Sequence, residues 1–179
     1  MILSSPIHIL YLRKMVIVSS RISESIIENL QLTWQMYKEA IKNIPEEEWN
    51  TGPIDYLIPA RLILHGLDTL DYYSTKTPKV TIQGFQFKID DQKIPAEQLP
   101  NQAQMNKYLD DIREKLETWI NGLDDEVFHR PEMEFPWTGS TLHGRLLYSL
   151  EHSRHHLGEL NGELRRRGLP RVKWSYFKK

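Results

Sequence analysis

Four stretches of this chain place apolar residues three and four positions apart, the spacing of one buried face on an α-helix, and that pattern restricts the chain to a helical fold. In the first, from Ser23, Ile26, Ile27, Leu30, Trp34, Tyr37, Ile41 and Ile44 mark a long amphipathic helix to about Asn43, ahead of Pro45. Pro53 and then Ile54 to Tyr73 read as a second helix, with Pro59 either a kink or the true start and Thr77-Pro78 as the stop. Asn101 caps a third, carried by Met105, Tyr108, Leu109, Ile112, Leu116, Trp119 and Ile120 and ended by Asn121-Gly122. Ser140 or Thr141 caps a fourth that runs to about Arg167, closed by Gly168 and Pro170, with arginines in the last turn where the helix dipole favours cations. Between the second and third helices, Lys79 to Ile89 changes period. Val80 and Ile82 alternate, Gln83-Gly84 is turn-like, and Phe85, Phe87 and Ile89 alternate again. Residues 123–139 read as a loop rich in acidic residues, proline and aromatics. The expectation is an all-α four-helix bundle with a short strand-like excursion between its second and third helices.

The chain has 179 residues, enough for one compact domain with its own core. Residues 1–22 read as an N-terminal extension and 23–179 as a single domain. The extension is apolar in places, but Arg13 and Lys14 interrupt it, which fits neither a secretory signal nor a membrane span. A cytoplasmic protein is the expectation. Lys plus Arg total 23 against 24 Asp plus Glu, a net charge of -1, which argues against nucleic-acid or membrane binding as a property of the whole chain. The basic, aromatic end from Arg165 to Lys179 keeps nucleic acid open only as a minor alternative. No cysteine is present, which excludes disulfides, thiolate metal sites and a cysteine nucleophile together.

Any metal must then sit on histidines and carboxylates. In the fourth helix, Glu151-His152-Ser153-Arg154-His155-His156 offers histidines at both i,i+3 and i,i+4. The leucine stripe of that helix separates them: His152 and His156 lie on one shoulder of it, and His155 lies nearly opposite, towards solvent. Side chains one turn apart have Cβ atoms about 5–6 Å apart, so two imidazoles can share an ion at about 2.0–2.1 Å. His65, in the middle of the second helix, is the best third ligand. Three histidines from two helices leave an open coordination position for water or substrate. Such a donor set suits zinc or nickel, with iron or copper as alternatives. The same shoulder carries Arg145, Ser149, Glu159 and Glu163. The residue after the first histidine of the pair is Ser153, where a metalloprotease needs its glutamate, and a buried structural role for His65 or a polar edge for the pair are the plainer alternatives.

The segments Arg61-Leu-Ile-Leu-His65-Gly, Leu150-Glu-His152-Ser-Arg-His155-His156-Leu-Gly158-Glu-Leu160 and Leu164-Arg-Arg-Arg-Gly168-Leu-Pro170 resemble those of the DinB/YfiT-like superfamily of metal-binding four-helix bundles. The resemblance covers most of the chain, from about Ser23 to Pro170. It implies that His65, His152 and His156 bind a divalent metal. It also implies an activity of one of two kinds, transfer with a low-molecular-weight thiol as cosubstrate or metal-dependent hydrolysis of a small electrophilic substrate. With no cysteine in the chain, the thiol has to be a separate molecule. Glu159 and Asp68 are then candidates for proton transfer, and Arg145 for orienting an anionic substrate. A homodimer is the expected assembly. A non-catalytic, stress-related binding module with a structural or vestigial metal is the alternative function.

Overall fold

The computed structural model describes residues 20–75 and 93–177. The excursion at Lys79 to Ile89, the stop at Thr77-Pro78 and the N-terminal stretch up to residue 19 lie outside the described residues. Helix α1 spans Arg21–Asn43, starting two residues earlier than the apolar pattern indicates, because the Ser20 hydroxyl accepts from the amides of Ile22 and Ser23 and caps it. After Pro45 comes one extra turn, α2, at Glu46–Trp49. The second long helix, α3, begins at Pro59 and ends at Tyr73, and a separate 3₁₀ turn occupies Asp55–Leu57. The start at Pro59 rather than Ile54 follows from the proline: it holds Ile58 extended (φ -59°, ψ 127°) and itself fits the first helical position, where no amide donor is needed.

Helix α4 spans Gln102–Asn121 and opens with a full capping box between Asn101 and Gln104. The expected loop at 123–139 contains a single helical turn, α5, at Asp125–Phe128, capped by Asp124, and a 3₁₀ turn at Pro136–Thr138. An isolated antiparallel bridge between Pro131 and Thr141 ties that loop to the start of α6, which spans Leu142–Arg166 with Thr141 as its cap. Among the described residues every regular element is helical, in keeping with the bundle the periodicity indicates.

The long helices form a closed ring: α1 packs on α4 and α6, and α3 packs on α6 and α4, with α3 and α6 sharing the most extensive interface. The core takes in the stripes already visible as periodicity, among them Leu30, Tyr37, Ile41, Met105, Ile112, Leu157 and Leu164, and Ile63 and Leu67 of α3 join them, all close to fully buried. Several loop contacts fix the ring. Gln102 caps the C-terminal end of α1 through the carbonyls of Ile41 (2.5 Å) and Ile44 (2.8 Å), and Trp49 donates to the Pro100 carbonyl at 2.8 Å. At the far end of α6, buried Glu163 accepts from Arg166 and Arg167, and Arg167 reaches back to the Thr51 carbonyl at 2.8 Å. No helix among the described residues is long and apolar enough to cross a membrane.

Candidate metal centre

The interface of α3 and α6 carries the histidines. Their relative position is set by Tyr37, which crosses from α1 to touch both helices. The Tyr37 phenol donates to the Ser153 carbonyl at 2.8 Å and accepts from the Ser153 hydroxyl at 3.0 Å, fully buried. Its hydroxyl also lies over Gly66, so closely that a Cβ there would sit 1.9 Å from Oη. Gly66 is therefore required by close approach, and it follows His65 directly. Ser153 follows His152 directly. One buried tyrosine thus sets the register between the two helices at the positions that carry the histidines.

The rings of His65 and His156 lie 4.4 Å apart, those of His152 and His156 4.8 Å, and those of His65 and His152 5.7 Å. One nitrogen from each of the three falls within 4.8 Å of the others. Tetrahedral coordination at 2.0–2.1 Å needs donors roughly 3.4 Å apart, so side-chain torsions have to close the widest pair, at up to 4.8 Å, by about 1.4 Å. The electrostatics agree with that use. His156 Nδ1 is 2.6 Å from the Glu159 carboxylate. An ionised carboxylate only accepts, so Nδ1 carries the proton and Nε2 keeps its lone pair. That Nε2 is buried and meets no hydrogen-bond partner among the described residues, and the same holds for His152 Nδ1. Burial, reinforced by the neighbouring imidazoles, pushes His152 down to about 4, and burial also lowers His156. Both are therefore neutral at pH 7. On α6, His152 and His156 each present a buried, neutral imidazole with a nitrogen that meets no partner among the described residues, a carboxylate stands behind His156, and His65 approaches them from α3, a donor set that fits a cation.

The remaining candidates take different places. Glu159 stands behind His156, on the far side from the cluster. Exposed His155 lies 3.5 Å from the same carboxylate, so His155, His156 and Glu159 form a second close group at the solvent edge. Asp68, one turn beyond His65 on α3, meets the Tyr108 hydroxyl at 3.4 Å. Arg145 is buried against the loop before α6: it pairs with Glu132 at 3.3 Å, and its guanidinium lies 4.8 Å from the Phe135 ring and 5.4 Å from Trp119. It lies seven positions before His152 on the helix and is already engaged. His143 packs against Phe128 with ring centres 6.3 Å apart, away from the cluster. Sequence reasoning did not single out Tyr37, Gly66, Tyr73 or Tyr148. The available signals were a serine inside a leucine stripe, at Ser153, and a glycine inside a helix, at Gly66.

The family model of the DinB superfamily matches residues 29–160, a span that contains His65, His152, His156 and Glu159. No curated protein and no solved structure matches the chain closely enough to count as a relative. The match extends over most of the chain and reaches into each of the four long helices, so the protein belongs to the DinB superfamily.

Proposed function

We propose that this protein is a metal-dependent enzyme in which His65, His152 and His156 hold one divalent cation, zinc or nickel by the all-imidazole donor set. The observation that carries the reading is the meeting of three imidazoles from α3 and α6, with the Glu159 carboxylate 2.6 Å from Nδ1 of His156. A bound ion of this kind supplies Lewis-acid chemistry, acidifying a thiol or a water against a small electrophile. The chain's own residues do the rest. Glu159 keeps the Nδ1 proton on His156 and so fixes which nitrogen faces the cluster. Tyr37 and Ser153 hold the two histidine-bearing helices in register. Asp68, on the face of α3 one turn from His65, is placed to take up a proton released near the cluster. Because the chain has no cysteine, a thiol reaction requires a small thiol cosubstrate. Arg145, already paired with Glu132, shapes the wall of the site.

The test is elemental analysis of the purified protein beside His65→Ala and His156→Ala. About one equivalent of divalent metal per chain, lost in both variants, is the expected result. Unchanged metal content in either variant refutes the assignment. Loaded protein is then screened against thiol acceptors and against hydrolysable esters and amides.

A further inference from the structure

One turn before His152 on α6, Tyr148 meets the His152 imidazole edge-on, with ring centres 5.7 Å apart and planes at 90°. On its other side Tyr148 packs against Tyr73 at 5.3 Å. Tyr73 and Phe135 are buried and 5.5 Å apart, and they form the base of an aromatic wall that continues to Tyr72 and Trp137. Trp137 is oriented by a 3.2 Å bond from its indole N–H to the Tyr73 hydroxyl, yet it remains 54% exposed. Tyr72 and Tyr148 are half-buried. The two buried rings anchor the loop before α6. The partly open rings continue the same edge-to-face arrangement up to the histidine cluster without being sealed in the core.

The wall offers π faces and phenol hydroxyls and little net charge. Among the described residues, Arg145 stands behind Phe135 and is paired with Glu132. Asp68 lies near Tyr72 and adds a negative field at its edge, which disfavours an anion.

We infer that this wall is the specificity subsite of the proposed metal centre, and that it takes a flat, uncharged aromatic group on a substrate whose polar head reaches His65, His152 and His156. Ring pairs in edge-to-face or offset geometry gain beyond the area they bury, so an aromatic group is preferred over an alkyl group of similar size. The inference rests on the three histidines being a metal site.

The full chain loaded with zinc is titrated with acetohydroxamate, cyclohexanecarbohydroxamate and benzohydroxamate, which share one metal-binding head. Affinity is read by calorimetry and by tryptophan fluorescence, with zinc content measured on the same samples. Benzohydroxamate is expected to bind about tenfold more tightly than acetohydroxamate and several-fold more tightly than the cyclohexane compound. Tyr148→Leu should remove most of that preference, with the benzohydroxamate to acetohydroxamate affinity ratio falling towards one on the same zinc-loaded samples. Trp137→Leu, at a position 54% exposed, should weaken the preference and remove part of the fluorescence change. Zinc-loaded protein that binds the three compounds in order of bulk alone, or variants that keep the full aromatic preference, overturn the subsite while leaving the metal centre standing. Protein that takes up no zinc overturns both.

Discussion

Replacing Gly66 with alanine tests whether one buried contact sets the α3–α6 register. The new Cβ would lie 1.9 Å from Tyr37 Oη, 2.9 Å from Cζ and 3.4 Å from Cε1. Tyr37 is 1% exposed and cannot swing outwards, so its ring must shift away from Gly66, which breaks the 2.8 Å and 3.0 Å bonds to Ser153. Overpacking costs about 2 kcal/mol, and leaving the phenol and the Ser153 carbonyl unpaired costs about 2 kcal/mol more. Alanine's better helix propensity returns about 1 kcal/mol. The net loss is about 3 kcal/mol, which for a chain of this size is a fall in Tm of roughly 6–12 °C. Urea and thermal unfolding followed by circular dichroism measure it. Tyr37→Phe removes the closest contact, and alanine at 66 then meets Cζ first, so the two substitutions should be strongly non-additive, with coupling of about 1.5 kcal/mol. A Gly66→Ala protein within about 1 kcal/mol of the parent, or additivity within about 0.5 kcal/mol, refutes the argument.

Glu159→Gln keeps the shape but removes the charge behind His156, and metal affinity by chelator competition should fall about 10- to 100-fold with folding unchanged. Removing metal with a chelator should lower Tm in the parent protein, and zinc returned at about 100 times its Kd should restore about 2.7 kcal/mol, whereas His65→Ala should respond to neither treatment. Glu163 is held down to about 2, first by the Arg166 bond and further by Arg167, against the opposing effect of its burial. The unfolded carboxyl takes a proton near 4.5, so the folded state binds fewer protons below that pH; the stabilisation is complete above 4.5 and is lost as pH falls through about 2. Acid unfolding of Glu163→Gln should therefore show a shallower loss of stability between those two values than the parent does. A parallel slope contradicts the ion-pair assignment.

The parts of the fold legible in the sequence are those set by neighbours in the chain. The stripe Leu146, Leu150, Ser153, Leu157, Leu160 and Leu164 is buried as its period indicates, and the caps at Asn101 and Thr141 sit where residue type and spacing place them. The start of α3 was ambiguous because Ile54 to Ile58 continue the apolar pattern, and only the backbone preference of a residue before proline separates them from the helix. The turn at Asp125–Phe128 was missed for another reason. A single turn has too few residues for a period, although Asp124 is a good cap and Phe128 is fully buried beneath it.

The site divides along the same line. His152 and His156 are one turn apart on one helix, so their convergence depends only on the α-helical repeat. His65 joins them only if α3 lies against α6 in one register, and nothing local to either helix encodes that. The register comes from α1, through Tyr37 seated on Gly66 and bonded to Ser153. Residues that look like ordinary core positions thus decide whether the histidine group closes. A serine at the centre of a leucine stripe is the residue that accommodates the tyrosine hydroxyl. On this argument, substitutions at Tyr37, Gly66 and Ser153 should affect metal affinity and stability together, whereas those at Glu159 should affect affinity alone. If Gly66→Ala loses stability but keeps the metal affinity of the parent, register and site are set by different contacts, and the link drawn here between α1 and the histidines fails.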